Sequence, residues 1–282
     1  MKNFLVVSNI IKDPDGVLSG KIVNYLKDKG VDCRSTVCTR DCNNNYHLTD
    51  YEGTDCIIVL GGDGTILQVA RDIADKNIPI MGVNLGTVGY LAEVDADKVN
   101  EAIDRVLKGD YATETRMMLQ GDITANNGEI THLSPALNDI VITRNGALQI
   151  IRFSIYVNDQ FLCDFSADGI IIATPTGSTG YNMSAGGPIA KPSASLLLLT
   201  PICAHSGTPT SIVLSDSDKV DIVINKGRDG NSIFVAANSD GNDEHVMTTD
   251  DRITISKSKY VSTIIRLDSD SFVQTLHKKM SE

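Results

Sequence analysis

The stretch Val59-Leu60-Gly61-Gly62-Asp63-Gly64-Thr65-Ile66-Leu67-Gln68-Val69-Ala70 decides how the chain is read. Ahead of it Cys56-Ile57-Ile58 extends the apolar run, as a buried strand requires; behind it Ile66, Leu67, Ala70, Ile73 and Ala74 recur at helical spacing. The stretch is therefore a strand-to-helix turn, with a strand over 56–60 and a helix over 65–76. Such turns sit at the carboxyl edge of a parallel sheet, where open α/β folds bind ligands. Gly61, Gly62 and Gly64 let a phosphate approach the backbone closely, and helix N–H groups from Thr65 onward add donors. No GK[ST] follows, so this is not a Walker A loop, and GxGxxG is absent, so it is not a dinucleotide fingerprint. Two roles remain for the lone acid. Asp63 caps the helix, or it orients and deprotonates a hydroxyl that attacks a phosphate held by the same turn.

Composition narrows the classes. The chain has 282 residues, 41% apolar, with a formal net charge of −11. An acidic balance disfavours nonspecific binding to nucleic acid or anionic membranes. Any phosphate-bearing ligand must then be held by local donors or a metal. No apolar run nears the ~20 residues of a membrane span, and the N-terminal residues lack a signal peptide's pattern. The cysteines, at 33, 38, 42, 56, 163 and 203, make no CxxC pair or zinc pattern; they read as reduced thiols of a cytoplasmic protein. Cys33, Cys38 and Cys42 read as ordinary surface thiols.

The texture changes along the chain. Up to about residue 114, short apolar runs alternate with helical stripes, as in an α/β nucleotide-binding domain of Rossmann type. Strands are expected at 4–8 and 78–83, a helix from Leu18 to the stop at Gly30, and another through Val99–Leu107 ending at Gly109. From 115 to 264 the pattern becomes alternation and tight turns: Asn127-Gly128 signals a hairpin. Phe153, Ile155 and Val157 lead into Asn158-Asp159, and Phe161, Cys163 and Phe165 lead out, a hairpin with one buried aromatic face. This part is expected to be a β-rich, sandwich-like domain. The segment 265–282 reads as helical and is expected to pack back on the first domain.

Three more segments carry candidate chemistry. Gly82, Gly86 and Gly89 strip another strand exit of side chains. Asn138 and Asp139 precede an apolar strand, and 168–188 runs from a buried strand into DGIIIATPTGSTGYNMSAGGP, dense in Thr, Ser and Gly. Singly each reads as a turn or loop. Together they offer amides and carboxylates for ribose hydroxyls and small hydroxyls for phosphates.

The order GGDGT, GVNLGTVGYL, LND and TPTGSTGY…SAGGP resembles the bacterial NAD kinases, relatives of diacylglycerol, sphingosine and phosphofructokinases, over nearly the whole chain. The resemblance implies phosphoryl transfer from ATP, with Mg²⁺ or another divalent cation, to the 2′-hydroxyl of NAD. It makes Asp63 the proton acceptor, with Gly61, Gly62, Gly64 and Thr65 as the phosphate turn. It sets Asn138 and Asp139 on the nucleotide, and Asp168 by the nicotinamide half. Thr179, Gly180, Tyr181, Asn182, Met183 and Ser184 then line adenine and ribose, joined by Asp240 and Asn242. It also implies a homodimer or homotetramer. Ser166 stands where many members carry an arginine, Gly180 where alanine is common, Asn242 where glutamine is common, and Tyr90 where phenylalanine is usual. Without that arginine, the pyrophosphate would rely on hydroxyls such as Thr176, Ser178 and Thr179. His205 reads as structural, and Asp240, Asp243 and Glu244 as a solvated acidic loop. Two other readings remain open: a lipid kinase sharing the GGDGT turn, and a nucleotide sensor without catalysis.

Overall fold

The computed structural model describes residues 1–40, 46–48, 50–86, 89–146, 150–205, 210–267 and 271–281. Its contacts divide into two compact units, Met1–Arg116 with Val261–Glu282, and Met117–Tyr260.

The first unit begins β1 (Asn3–Ser8), α1 (Val17–Asp28), β2 (Asp32–Val37), followed by the short β3 (Thr39–Arg40) and β4 (Tyr46–His47). Then come β5 (Cys56–Gly61), α2 (Asp63–Asp72), β6 (Ile80–Asn84), β7 (Val94–Asp95) and α3 (Val99–Lys108). Strands β2, β1, β5 and β6 lie side by side in that order, all parallel. Phe4–Val7 and Cys56–Leu60 are wholly buried, as continuous apolar runs must be when helices cover both faces. The stripes Ile22, Val23 and Leu26 of α1 and Val99, Ala102, Ile103 and Val106 of α3 pack into one core with β1 and β5. Because the chain moves from β1 outward to β2 and then returns to β5 on the other side, the order in which strands are added reverses between β1 and β5. That reversal is where open α/β sheets hold ligands.

Helix α2 differs from the expected 65–76. Gly62, extended at φ −117° and ψ −174°, is its N-cap, so the helix starts two residues earlier, at Asp63; it stops at Asp72, short of the left-handed Asn77. The helix of the 265–282 segment is α5 (Ser271–Ser281), whose Phe272 ring lies 6.3 Å from that of Tyr90.

The second unit is a β-sandwich. One antiparallel sheet holds, in spatial order, β15 (Ile212–Ser215), β14 (Leu196–Ile202), β13 (Gly169–Ala173), β10 (Asp139–Arg144), β17 (Phe234–Ser239) and β18 (Asn242–Thr248). The other has β12 (Gln160–Ala167), β11 (Ile151–Val157), β16 (Val220–Ile224) and β19 (Arg252–Arg266), with β8 (Ala112–Thr124) beside β19 and β9 (Ile130–His132) beside β8. Between the sheets, Ile140, Ile142, Ile170, Ile172 and Val235 meet Phe153, Ile155, Phe165, Ile222 and Ile253 in one core. A single turn of helix, α4 (Tyr181–Ser184), follows β13.

The β11–β12 hairpin turns through Asn158 and Asp159, both left-handed, as a tight two-residue turn demands. Its aromatic face is only partly as expected. Phe153 opposes Phe165 in the core, but the register slips between Ile155 and Tyr156. The extra residue Leu162 is a β-bulge that flips Phe161 to the other face. Phe161 is 58% exposed and meets Tyr156 edge-on, ring centroids 5.5 Å apart.

Candidate functional site

In the first unit, the site grows from the exits of β5 and β6. Asp63 is the first residue of α2, yet its side chain makes no capping bond to that helix. Its carboxylate instead takes backbone amides of the segment after β6: Tyr90 N–H donates to Oδ2 at 2.8 Å, and Leu91 and Ala92 N–H to Oδ1 at 3.1 and 3.3 Å. Gly89 makes this approach possible, because a Cβ there would overlap the Asp63 carboxylate. Gly61 is likewise packed against the Thr65 side chain. Thr65 is buried and its hydroxyl accepts a bond from Asn9 Nδ2 at 3.2 Å. Gly64 is exposed, and a Cβ added to it would meet nothing within 4 Å.

A carboxylate oxygen offers two lone pairs. Among the described residues, Oδ1 of Asp63 has both filled by amides, while Oδ2 has one filled. The side chain is thus fixed in orientation and keeps one accepting direction. Helix capping, the structural alternative for Asp63, is not what it does.

In the second unit the matched segments are brought together. Asp240 sits in the β17–β18 turn at φ 50°. Its carboxylate receives Leu137 N–H at 2.8 Å on Oδ2, and Asn138 and Asp139 N–H at 2.8 and 3.1 Å on Oδ1. Asp243 similarly accepts Ser134 N–H at 2.8 Å and bonds His245 at 3.0 Å. Asp240 and Asp243 are therefore a clamp on the segment before β10 rather than part of a solvated loop, while Glu244 is exposed. Asn242 opens β18, and its amide turns back to the Asp240 carbonyl at 3.4 Å. Among the described residues, no three His, Cys, Asp or Glu side chains converge as metal ligands.

Asp139 is 6% exposed beside that clamp. Burial, reinforced by the Asp240 charge, pushes its carboxyl up to about 7. Asn138 packs under the 174–180 loop: its carbonyl accepts Thr174 N–H at 2.8 Å, and Gly177 lies too close to it for any side chain. The Cβ position of Gly180 is 3.4 Å from Asn138 Nδ2 and 3.9 Å from Asp139 Oδ2, so this loop lies directly over the pair.

The hydroxyl-rich segment separates into two kinds of residue. Ser178 is fully buried, donating to the Pro175 carbonyl at 2.7 Å and accepting Ala190 N–H at 3.0 Å, so its hydroxyl is not one that a pyrophosphate reaches. Asn182, also fully buried, donates to the Ser178 and Pro188 carbonyls and accepts from Thr200. Thr176 is buried. Thr179 is half-buried, and Tyr181, Met183 and Ser184 are exposed.

Ser166, at the end of β12, faces Arg152 across the strand pair. Two residues on, Asp168 has a cation beside it after all: Arg144 Nη1 is 3.4 Å from Oδ2. His205 is not alone either, since its Nε2 bonds Asp168 Oδ1 at 3.0 Å and its N–H the Ser166 carbonyl at 2.7 Å. Sequence reading missed both partners, which lie 24 and 37 residues away. It also missed Lys12, whose ammonium stands 3.3 Å from the Cβ positions of both Gly62 and Gly86. The only trace in sequence is one lysine in the turn directly after the first strand. Among the described cysteines, Cys38 is buried rather than on the surface, its thiol pushed up to about 12 by burial; Cys42 lies outside the described residues.

Known proteins bear on this geometry. Residues 20–111 match the ATP-NAD kinase N-terminal domain and residues 137–267 the ATP-NAD kinase C-terminal domain. A protein of Agathobacter rectalis named NAD kinase is 44% identical over 99% of both chains; one of Lachnospira eligens is 41% identical over 99% of this chain and 100% of its own. Among solved structures, an NAD kinase from Archaeoglobus fulgidus in complex with ATP superposes with a TM-score of 0.79 at 25% identity over 99% of each chain. Yeast NADH kinase complexed with NADH gives 0.88 over 100% of this chain and 88% of its own, at 20% identity, a likeness of fold.

Proposed function

The chain belongs to the ATP-NAD kinase family and is an enzyme of that activity, an NAD kinase; from this premise we propose how it works. The terminal phosphoryl group of ATP passes to the 2′-hydroxyl of NAD's adenosine ribose, and Asp63 takes the hydroxyl's proton. One observation carries this reading: the Asp63 carboxylate is held by three amides with one accepting direction left on Oδ2. A base so fixed loses no orientational freedom when the hydroxyl arrives. Asn138 and Asp139 hold ribose hydroxyls, with Thr179 to Ser184 against the base and sugar. Asp240 and Asn242 act by setting the shape of the 137–139 segment, and Asn182 by holding its loop. Arg144 supplies, beside Asp168, the positive charge that Ser166 does not. The divalent cation enters with ATP's phosphates, as part of the donor substrate. We place the enzyme in the cytoplasm; among the described residues no helix is long and apolar enough to cross a membrane.

The lipid-kinase reading needs an apolar acceptor pocket, whereas the 174–180 loop over Asn138 and Asp139 is built of Thr, Ser, Gly and one Pro. Purified protein given ATP, Mg²⁺ and either NAD or diacylglycerol decides between them. NADP formation with no phosphatidate is expected; phosphatidate alone would overturn the assignment, and ligand binding without turnover would favour a sensor.

A further inference from the structure

Resting on the NAD kinase reading and deepening it, we propose that Lys12 is the residue that binds the phosphates of the nucleotide donor at the glycine turn. Three observations meet there. The loop after β1 leaves the sheet beside β5, on the reversal point of the strand order. It is fastened along its length: Asn9 N–H donates to the Leu60 carbonyl at 3.0 Å, and Asn9 Nδ2 to Thr65 Oγ1 at 3.2 Å. The Lys12 and Asp13 amides both return to the Asn9 carbonyl, at 3.0 and 2.9 Å, and the Asp13 carboxylate takes the Leu18 and Ser19 amides of α1. Lys12 thus stands on a short arch tied at both feet.

From that arch its ammonium reaches the space that side chains would fill at Gly62 and Gly86, 3.3 Å from each Cβ position. Two strand exits bare of side chains, after β5 and β6, therefore share one cation delivered from a third. No ion pair or hydrogen bond among the described residues engages that cation, and the neighbouring acid, Asp13, is occupied by α1. An exposed, uncompensated ammonium is held here in a chain of net charge −11. Beside it, the first amides of α2 at Asp63 and Gly64 have no helical acceptor. An ammonium is a compact point charge suited to phosphate oxygens, and with orphan amides it forms a cradle for a polyanion. The donor rather than NAD is assigned to Lys12 because the position matched to NAD's pyrophosphate contact, Ser166, lies elsewhere in the chain, two residues before Asp168.

The test uses Lys12→Ala and Lys12→Arg in the full chain. With alanine, KM for ATP should rise roughly tenfold or more, the range of a charge-assisted bond, and kcat should fall. Calorimetric affinity for NAD should be unchanged and the melting temperature within about 2 °C of wild type, as for an exposed side chain. Arginine, which keeps the charge, should recover most of the ATP affinity. Tripolyphosphate, titrated as a probe of the cradle alone, should bind wild type and the arginine variant but not the alanine variant. An unchanged KM for ATP in Lys12→Ala, or an equal loss of NAD affinity, overturns the proposal. If wild type makes no NADP, the kinase reading fails, and the ATP and tripolyphosphate titrations still decide the role of Lys12.

Discussion

Asp63 is positioned by amides that no sequence pattern marks, and its geometry changes what a substitution there means. In Asp63→Asn the amide oxygen can still receive Leu91 and Ala92, but its NH₂ would face the Tyr90 N–H, donor against donor. The variant therefore costs stability, about 1 kcal/mol, the low end for an unsatisfied group because this one is only part-buried, besides losing the base. Turnover should fall at least ~10²-fold at a temperature well below the variant's own melting point, with NAD still bound by calorimetry. Near wild-type kcat would exclude the base. Asp139 makes a second prediction. Its carboxyl, raised from the ordinary 3.8 to about 7, is protonated in the folded protein over a range where the unfolded chain has lost the proton. Stability from this group is full below pH 4 and is lost as pH rises through 7, by up to roughly 4 kcal/mol. Asp139→Asn cannot ionise, so urea midpoints of variant minus wild type should climb from pH 4 to 7 and then level. Parallel curves would mean Asp139 ionises freely. The same substitution should weaken NAD far more than ATP.

At the scale of elements, strand exits carry the chemistry, and their glycines are of two kinds. Gly89 is demanded by the fold, since any Cβ overlaps Asp63. Gly89→Ala should displace the amide clamp and lower kcat without unfolding the sheet, measured by activity alongside circular dichroism. Gly64 is demanded by nothing in the folded chain: a Cβ there is in open space. Gly64→Ala should hold or raise stability, by about 0.4–1 kcal/mol, while raising KM for ATP if phosphates lie against the turn. A variant equally active and more stable would show that nothing docks there. Periodicity made the elements legible: the buried runs at 56–60 and 169–173, the stripe of α3 and the Asn158-Asp159 turn all follow from local pattern. What escaped was set by pairing at a distance. The Leu162 bulge depends on how β12 registers with β11, and Asp240 reaches amides 101 to 103 residues away, donors that every sequence position shares. The start of α2 was misplaced because Gly62 and Gly64 read as turn, although glycine is well suited to an N-cap.

For the whole molecule, the outward face of the six-stranded sheet matters most. Phe234 on β17 and Val246 on the neighbouring edge strand β18 lie together on it, 61% and 58% exposed, while Val213, 56% exposed, lies on the opposite edge strand β15. Apolar side chains grouped on one sheet face mark an association surface. Of the hairpin's aromatics, Phe153 and Phe165 are inside their own core, while Phe161 is exposed. A homo-oligomer through this face is expected; light scattering with size exclusion should find at least a dimer, and Phe234→Asp with Val246→Asp should dissociate it. A fully active wild-type monomer would sink this expectation and leave the kinase assignment intact. The first unit, finally, is assembled from two distant parts of the chain, Met1–Arg116 and Val261–Glu282. Arg266 meets Glu114 at 2.9 Å and Glu93 at 3.4 Å, and the nearly inaccessible Arg116 shares Glu114 at 2.8 Å. Ile264 adds a parallel neighbour to Ile80. On the ribosome, all of Met117–Tyr260 is translated before those partners exist, so the unit begun earliest is completed last and waits with a buried charge cluster short of one arginine. A stop codon placed just after residue 260 would spare every residue of the second unit and cripple the first, the one already made.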